Sequence, residues 1–212
     1  MDLVNWHMPL IMVITETRMS GARADEIIES LPFDGATMVD TIWFAGGIWL
    51  LWHSDLVQVD FLASTEQEIH ALIRVRSQNF SWIISAIYAS PMFVERCLLW
   101  DNLSMHASLH NLPWALMGDF NEVLSKDEKL GGNNISQRRI RAIQDCMNSC
   151  QMMDLGFSGP KFTWSNKRDI GGLIQCRLDR CWANPEWKAL FVEANVTHLA
   201  RANFDHCPLL LS

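Results

Sequence analysis

The sequence predicts an α/β fold in which two packed β-sheets are flanked by helices. Short runs rich in β-branched and aromatic residues recur along the 212 residues, and amphipathic stretches lie between them. Glycine and proline mark the joins, at residues 46–47, 131–132, 156–160 and 171–172. This mixed order of strands and helices favours packed layers. Because no repeat, low-complexity tract or linker divides the chain, we expect a single domain over residues 1–212.

The predicted strands begin near the start of the chain. They occupy residues 9–15, 46–52, 57–63, 71–76, 82–88 and 114–118, and the second half adds residues 161–165, 177–183, 196–200 and 208–211. Ala71, Ile73 and Val75 share one face of their strand, while Leu72 and Arg74 share the other. Residues 11–14 are instead apolar throughout, which is typical of a strand covered on both faces.

Three helices are predicted between these strands, at residues 22–31, 94–109 and 136–152. In each, apolar residues recur at helical spacing along one side, and in the third helix they step by three and four. These residues are Ile27, Ile28 and Leu31 in the first helix, Val94, Leu98, Met105 and Leu109 in the second, and Ile140, Ile143, Met147 and Cys150 in the third. The other face of the third helix carries Arg138, Arg139 and Arg141, which we interpret as solvated.

Composition excludes several classes of protein. The formal net charge of −7 argues against a general nucleic-acid binder, so contact with a polyanion would need a local basic patch or a metal ion. The six cysteines form no CxxC pair and have no zinc-ligand spacing, which predicts reduced, mostly buried thiols. No membrane partner is expected, because the longest apolar run, residues 44–52, is far shorter than a membrane-spanning helix. The start of the chain also lacks the basic region that is typical of signal peptides. We therefore expect an intracellular protein, nuclear or cytoplasmic.

The motif Gly118-Asp119-Phe120-Asn121 comes directly after an apolar strand. Two residues apart at a strand end, Asp119 and Asn121 would project the same way from the edge of a sheet. A carboxylate there can orient or deprotonate water, and an amide can donate to a phosphate oxygen. The alternative is an ordinary turn, since glycine, aspartate and asparagine are common turn formers.

Further polar residues lie at other predicted strand ends. They are Glu16, Tyr88, Asp179, Asp205 and His206. Each has a structural alternative when taken alone, but the set supplies hard oxygen ligands, a phosphate contact and a titratable imidazole. These are the components of metal-assisted phosphodiester hydrolysis. Mg²⁺ suits the oxygen-rich donors best, with Mn²⁺ as a substitute.

Five motifs in this order resemble the endonuclease/exonuclease/phosphatase superfamily. They are Ile14-Thr15-Glu16-Thr17-Arg18, Ile87-Tyr88-Ala89-Ser90-Pro91, Gly118-Asp119-Phe120-Asn121, Arg177-Leu178-Asp179-Arg180 and Asp205-His206-Cys207-Pro208. Residues 114–132, 154–157, 159–166 and 183–187 are in addition similar to the endonuclease domain of plant LINE-type (non-LTR) retrotransposons. The similarity extends over nearly the whole chain.

The resemblance implies a four-layered α/β sandwich and a Mg²⁺-dependent nuclease that contacts the phosphate backbone of DNA and nicks it. In such elements the new end primes reverse transcription. The resemblance implies that Glu16 is a metal ligand, that Asp205 lies near the metal and that Asp119 acts on the attacking water. It implies that Asn121 and Tyr88 contact the scissile phosphate, and that His206, held by Asp179, contacts the phosphate or transfers a proton. Asn166 and Arg177 are implied as substrate-lining residues.

The chain also departs from the family pattern. Glu16 comes early and residues 5–7 do not match the family's first motif, so we expect the first strand and the helix after it to be missing. Phe204 stands where the family has a serine. Three functions stay open: a DNA endonuclease, active or decayed; a phosphatase acting on a phosphate monoester or a phosphoinositide; and an inactive remnant that serves at most as a binding module.

Overall fold

The computed structural model describes residues 2–40, 46–201 and 204–212. The chain divides into two units, Met1–Tyr88 and Ala89–Ser212. The apolar run predicted at residues 44–52 lies partly outside the described residues, which omit residues 41–45. Across the part of the chain that is described, no helix combines the length and the apolar character needed to cross a membrane.

The first unit is built mainly from antiparallel strands. Its elements are α1 (Asp2–His7), β1 (Ile11–Thr15), α2 (Ala22–Glu29), β2 (Gly35–Val39), β3 (Ile48–Trp52), β4 (Val57–Thr65), β5 (Glu68–Val75) and β6 (Ser81–Tyr88). Strand β3 pairs with both β1 and β2, whereas β4, β5 and β6 pair in sequence order. Ala24 of α2 packs with Trp49 and Leu51 of β3, so the helix covers one face of that sheet.

Strand β2 was not predicted from the sequence. It forms because β3 offers a complete partner, from Gly35 opposite Trp52 to Val39 opposite Ile48. A Cβ atom at position 35 would lie 2.1 Å from the Trp52 indole, so only glycine fits there. Long-range pairing and one close approach, rather than a local pattern, therefore determine this strand.

The second unit alternates helices with shorter strands. Its elements are α3 (Phe93–Leu109), β7 (Trp114–Asp119), β8 (Lys129–Leu130), α4 (Gln137–Ser149), β9 (Met153–Asp154), β10 (Trp164–Ser165), β11 (Gln175–Cys176), β12 (Asp179–Ala183), α5 (Pro185–Leu190), β13 (Val196–His198) and β14 (Leu209–Leu211). Strand β12 pairs antiparallel with β7 and with β9. Strand β11 pairs with β10 and β8, and β13 pairs with β14.

Helix α3 buries a different face from the one predicted. Val94, Leu98, Met105 and Leu109 are exposed by 76, 58, 56 and 65 %. The buried residues are instead Arg96, Leu99, Trp100, Leu103 and His106. Apolar residues lie on both sides of this helix, so their spacing alone did not identify the core face. The face of α3 that is buried carries the larger apolar side chains. Its polar residue Arg96 can be buried there because it donates hydrogen bonds to Ser90 O and to Glu122.

Helix α4 confirms the prediction from its spacing. Ile140, Ile143 and Met147 are buried, as is Cys150 directly after the helix. Arg138 and Arg141 are exposed, as expected. Arg139 differs, because its Nε donates to Glu122 over 2.6 Å.

Candidate active site

The pairing of β7 with β12 places two carboxylates side by side. Asp119 at the end of β7 is the direct cross-strand partner of Asp179 at the start of β12. Directly opposite residues in an antiparallel pair project to the same face, with Cβ atoms about 5 Å apart. The backbone continues the pairing, since Phe120 N donates to Leu178 O over 3.0 Å. Both aspartates are buried, at 2 and 7 % exposure.

Asn121 is held against Asp119 by two hydrogen bonds. Its backbone N–H donates to Asp119 Oδ1 over 2.8 Å, and its Nδ2 donates to Asp119 Oδ2 over 3.0 Å. A third bond runs from Nδ2 to Ala89 O. Asn121 adopts a φ of 48°, an uncommon conformation for a residue other than glycine. The residues after β7 therefore do form a turn, and this turn fixes the orientation of the Asp119 carboxylate.

His206 is oriented by the second carboxylate. Its Nδ1–H donates to Asp179 Oδ2 over 2.8 Å, as the resemblance implied. The segment that carries His206 is tied to β10, because Ser165 N donates to Asp205 O and Cys207 N donates to Thr163 O. Since Asp179 occupies Nδ1, any proton transfer with a substrate must use Nε2. The His206 side chain is 23 % exposed, so solvent reaches it.

Glu16 and Tyr88 meet within the first unit. Glu16 follows β1 with a φ of 54°, and the Tyr88 hydroxyl donates to its Oε1 over 2.7 Å. Arg18 Nη2 lies 3.4 Å from Oε2. Glu16 is partly exposed, while Tyr88 is 4 % exposed. In this arrangement the phenol orients the Glu16 carboxylate, and its contact with the scissile phosphate stays a prediction.

The remaining predicted site residues have distinct surroundings. Asp205 is exposed, beside His206. Asn166 closes the loop after β10, since its Oδ1 accepts from Ile174 N and its Nδ2 donates to Gly172 O. Arg177 is 6 % exposed and turned toward carboxylates, and its role as a substrate-lining residue stays a prediction.

The buried Arg177 and Arg180 form an ionic network with the partly buried Glu128 and Asp154. Arg177 Nη1 and Nη2 lie 3.1 and 2.8 Å from Glu128 and Asp154. Arg180 Nη1 lies 2.9 Å from Asp154, and its Nη2 donates to Glu128. Burial raises the pKa of both carboxyls, but the hydrogen bonds and charges of the arginines outweigh it and hold each pKa below its ordinary value. The Arg177 guanidinium also lies 4.6 Å from the Phe157 ring centroid.

Sequence reasoning missed Thr163 and this network. The Thr163 hydroxyl accepts from Leu178 N and Asp179 N, so it fixes the start of β12 next to Asp179. The acidic members of the network are 26 residues apart in sequence and belong to no motif. The two arginines of Arg177-Leu178-Asp179-Arg180 were the available indication that charge lies around this strand.

The chain belongs to the Endonuclease/Exonuclease/phosphatase family. The family's sequence profile matches residues 4–202, nearly the whole chain. No curated protein matches it in sequence.

Solved structures with the same fold are distant in sequence. An AP endonuclease from Archaeoglobus fulgidus is 14 % identical with a TM-score of 0.72, covering 100 % of this chain and 91 % of its own. A 3′ phosphatase from Neisseria, solved with a product DNA hairpin, is 16 % identical with a TM-score of 0.69 and the same coverage. The endonuclease domain of TRAS1, a telomere-specific non-LTR retrotransposon, is 14 % identical with a TM-score of 0.64, covering 96 and 97 % of the two chains.

These similarities confirm the predicted fold class. The chain has a mixed α/β fold, with main sheets packed with helices, in common with these structures. At such low identity they establish the fold alone.

Proposed function

We propose that this chain is a Mg²⁺-dependent nuclease that nicks DNA, of the type carried by plant LINE-type retrotransposons. The observation that carries the proposal is the register of β7 and β12, which sets Asp119 opposite Asp179, with His206 bonded to Asp179. One oriented carboxylate and one carboxylate-bound imidazole at the same strand ends are suited to the transfer of protons during hydrolysis.

In the proposed reaction, water attacks the phosphorus of a DNA phosphodiester. Asp119, held by Asn121, orients the water and accepts its proton as the new P–O bond forms. The bond to the leaving sugar oxygen breaks. His206 Nε2 contacts the phosphate or gives a proton to that oxygen, and Asp179 stabilises the charged ring.

Glu16 and Asp205 are the residues that we propose as Mg²⁺ ligands. Both offer hard carboxylate oxygens with solvent access. Tyr88 fixes Glu16 Oε1, and Oε2 faces the exposed Arg18 guanidinium, so a bound metal ion would take the place of Arg18 at that oxygen. The backbone of Glu16 is strained, which is typical of functional positions. When bound, Mg²⁺ would supply positive charge against the phosphate.

DNA as substrate is supported by the relatives and by local charge. The Neisseria structure holds a DNA product, and the TRAS1 domain comes from a retrotransposon. The motifs and the stretches between them resemble plant LINE endonucleases. Although the chain is acidic overall, Lys161, Lys167 and Arg168 are exposed in the second unit and supply local positive charge.

Plasmid nicking by the purified chain tests this proposal. Supercoiled plasmid is incubated with Mg²⁺, Mn²⁺ or EDTA, and the fraction of relaxed plasmid is measured on an agarose gel. We expect nicking with either metal, none in EDTA, and a loss of about 10³-fold in Asp119→Asn, which keeps the shape of the side chain but not its basicity. Arg141→Ala, an exposed residue of α4, is the matched control and should nick like the parent chain.

Three outcomes would contradict the proposal. Nicking that persists in Asp119→Asn would come from another site or from a contaminant. A folded parent chain that binds Mg²⁺ by calorimetry but leaves the plasmid intact would instead be a binding module on the family's fold. Rapid hydrolysis of a phosphate monoester without any nicking would favour the phosphatase.

A further inference from the structure

The last turn of α4 brings two cysteines together. Cys146 and Cys150 are four residues apart and therefore lie on the same face of the helix. Their exposures are 4 and 5 %, and each thiol is the largest influence on the acidity of the other. All six cysteines of the chain are free in the structure. This pair therefore has the proximity that chemistry between two thiols needs.

The surroundings of the two sulfur atoms differ. Cys146 Sγ lies 3.3 Å from Trp100 O, inside the contact between α3 and α4. Cys150 directly follows the end of α4, with the exposed Ser149 hydroxyl 3.9 Å from its sulfur. Cys146 is therefore enclosed, and Cys150 lies at the edge.

A small cavity adjoins Cys150. Its volume is about 190 Å³, and its lining includes Cys150, Ser149, His110, Asn184 and Glu186. Since a water molecule takes about 30 Å³ of liquid volume, the cavity has room for a hydroperoxide. Cys146 does not line this cavity. An oxidant would therefore meet Cys150 first.

The two buried thiols differ in acidity. The neighbouring Cys146 thiol lowers the pKa of Cys150 to about 7, although burial acts in the opposite direction. The Cys150 thiol, together with burial, raises the pKa of Cys146. Cys150, which also borders the cavity, is therefore the better nucleophile of the pair.

We propose that Cys150 and Cys146 form a peroxide-sensitive dithiol site in which Cys150 is oxidised first and Cys146 then closes a disulfide. The Cys150 thiolate attacks one oxygen of hydrogen peroxide. The O–O bond breaks, and the second oxygen leaves as water after taking up a proton. Cys146 then attacks the Cys150 sulfenic acid, the S–S bond forms, and the sulfenic oxygen leaves as a second water with the Cys146 proton. Two thiols are oxidised and one peroxide is reduced to two waters.

The helix end allows the bond to close. Cβ atoms four residues apart in a helix are separated by about 5–6 Å, and a disulfide needs about 4 Å. Cys150 is the residue at which α4 ends, and Gln151 after it has already left helical geometry, with a φ of 56°. We therefore expect a backbone change confined to this last turn to bring the two sulfur atoms into bonding distance.

Peptide mass mapping of the folded chain after hydrogen peroxide treatment tests the proposal. Remaining thiols are alkylated under denaturing conditions after each time point. We expect the peptide that contains both residues to lose the mass of two hydrogens, and Cys150 to be consumed about tenfold faster than the partly exposed Cys97 at pH 7. A reductant should restore both thiols.

Substitutions separate the two roles. In Cys146→Ser, oxidation should stop at a Cys150 sulfenic acid, which dimedone traps, whereas Cys150→Ser should protect Cys146 from oxidation. Cys97→Ser is the matched control and should still form the disulfide. Oxidation of Cys97 before Cys150 in the parent chain, or a disulfide between any other pair, would overturn the proposal even if a variant fails to fold. The site is independent of the proposed nuclease activity, because its assay measures only the thiols.

Discussion

Two adjacent residues of β12, Asp179 and Arg180, lie in different surroundings. Asp179 faces Asp119 and binds His206, whose side chain is 23 % exposed. Arg180 points to the other face of the strand, where it is fully buried between Glu128 and Asp154. Both residues belong to the same family motif. Their difference comes from the strand's alternation, which sends successive side chains to opposite faces.

The comparison separates reactive charge from structural charge. Every charge around Arg180 meets an opposite charge inside the protein, which indicates a structural role for Arg180. Asp179 instead accepts a hydrogen bond from the imidazole of His206, which is accessible to solvent. We therefore expect substitutions on the first face to change catalysis and substitutions on the second face to change stability.

The largest expected effect is the loss of the imidazole. His206→Ala should reduce the nicking rate by about 10³-fold, because it removes a positioned acid–base group. The thermal midpoint should change little, since the side chain is partly exposed. Nicking rates and thermal unfolding measured on the same preparation check this, and a large drop in the midpoint with unchanged nicking would reverse the assignment.

Removal of the buried guanidinium should have the next largest effect. Arg180→Leu removes a fully buried guanidinium and leaves two partly buried carboxylates with Arg177 alone, which should lower the free energy of unfolding by about 3 kcal/mol. Urea unfolding measures the loss. Arg141→Ala removes an exposed arginine and should stay within about 0.5 kcal/mol of the parent chain. A similar small effect for Arg180→Leu would contradict the structural role.

Asp179→Asn sharpens the comparison at the reactive face. The amide can still contact Nδ1 but no longer stabilises a charged ring or the correct tautomer, so kcat should fall by about 10- to 100-fold. KM and the urea midpoint should stay near the parent values, because Asp179 acts through His206. A shift in the pH profile of nicking would separate this effect from a merely structural one, and a change in KM alone would contradict it.

The smallest expected effect is the pH dependence of stability. The pKa values of Glu128 and Asp154 are lower in the folded chain than their ordinary values of 4.5 and 3.8. The unfolded chain therefore binds more protons in this pH range. The contribution of these two carboxylates to the free energy of unfolding is complete above about pH 4.5 and is lost as the pH decreases below that value. Urea midpoints from pH 3 to pH 7 measure this loss. The slope should become shallower in Arg180→Leu, and an equal slope in both chains would point to other carboxyls.

The sequence by itself determined the family, the α/β class and the order of the site motifs. Those features depend on local patterns, such as the apolar spacing of α4 and the strand that precedes Gly118-Asp119-Phe120-Asn121. The pairing of His206 with Asp179 also followed from the resemblance. The roles of the site residues in catalysis stay predictions.

Only the tertiary structure decided which faces are buried and which charges are satisfied. The core face of α3, the strand β2 and the partners of Arg177 depend on residues far away in sequence. The register that sets Asp119 against Asp179 joins positions 60 residues apart. Burial and pairing are properties of such long-range contacts, whereas a local pattern records only the spacing along the chain.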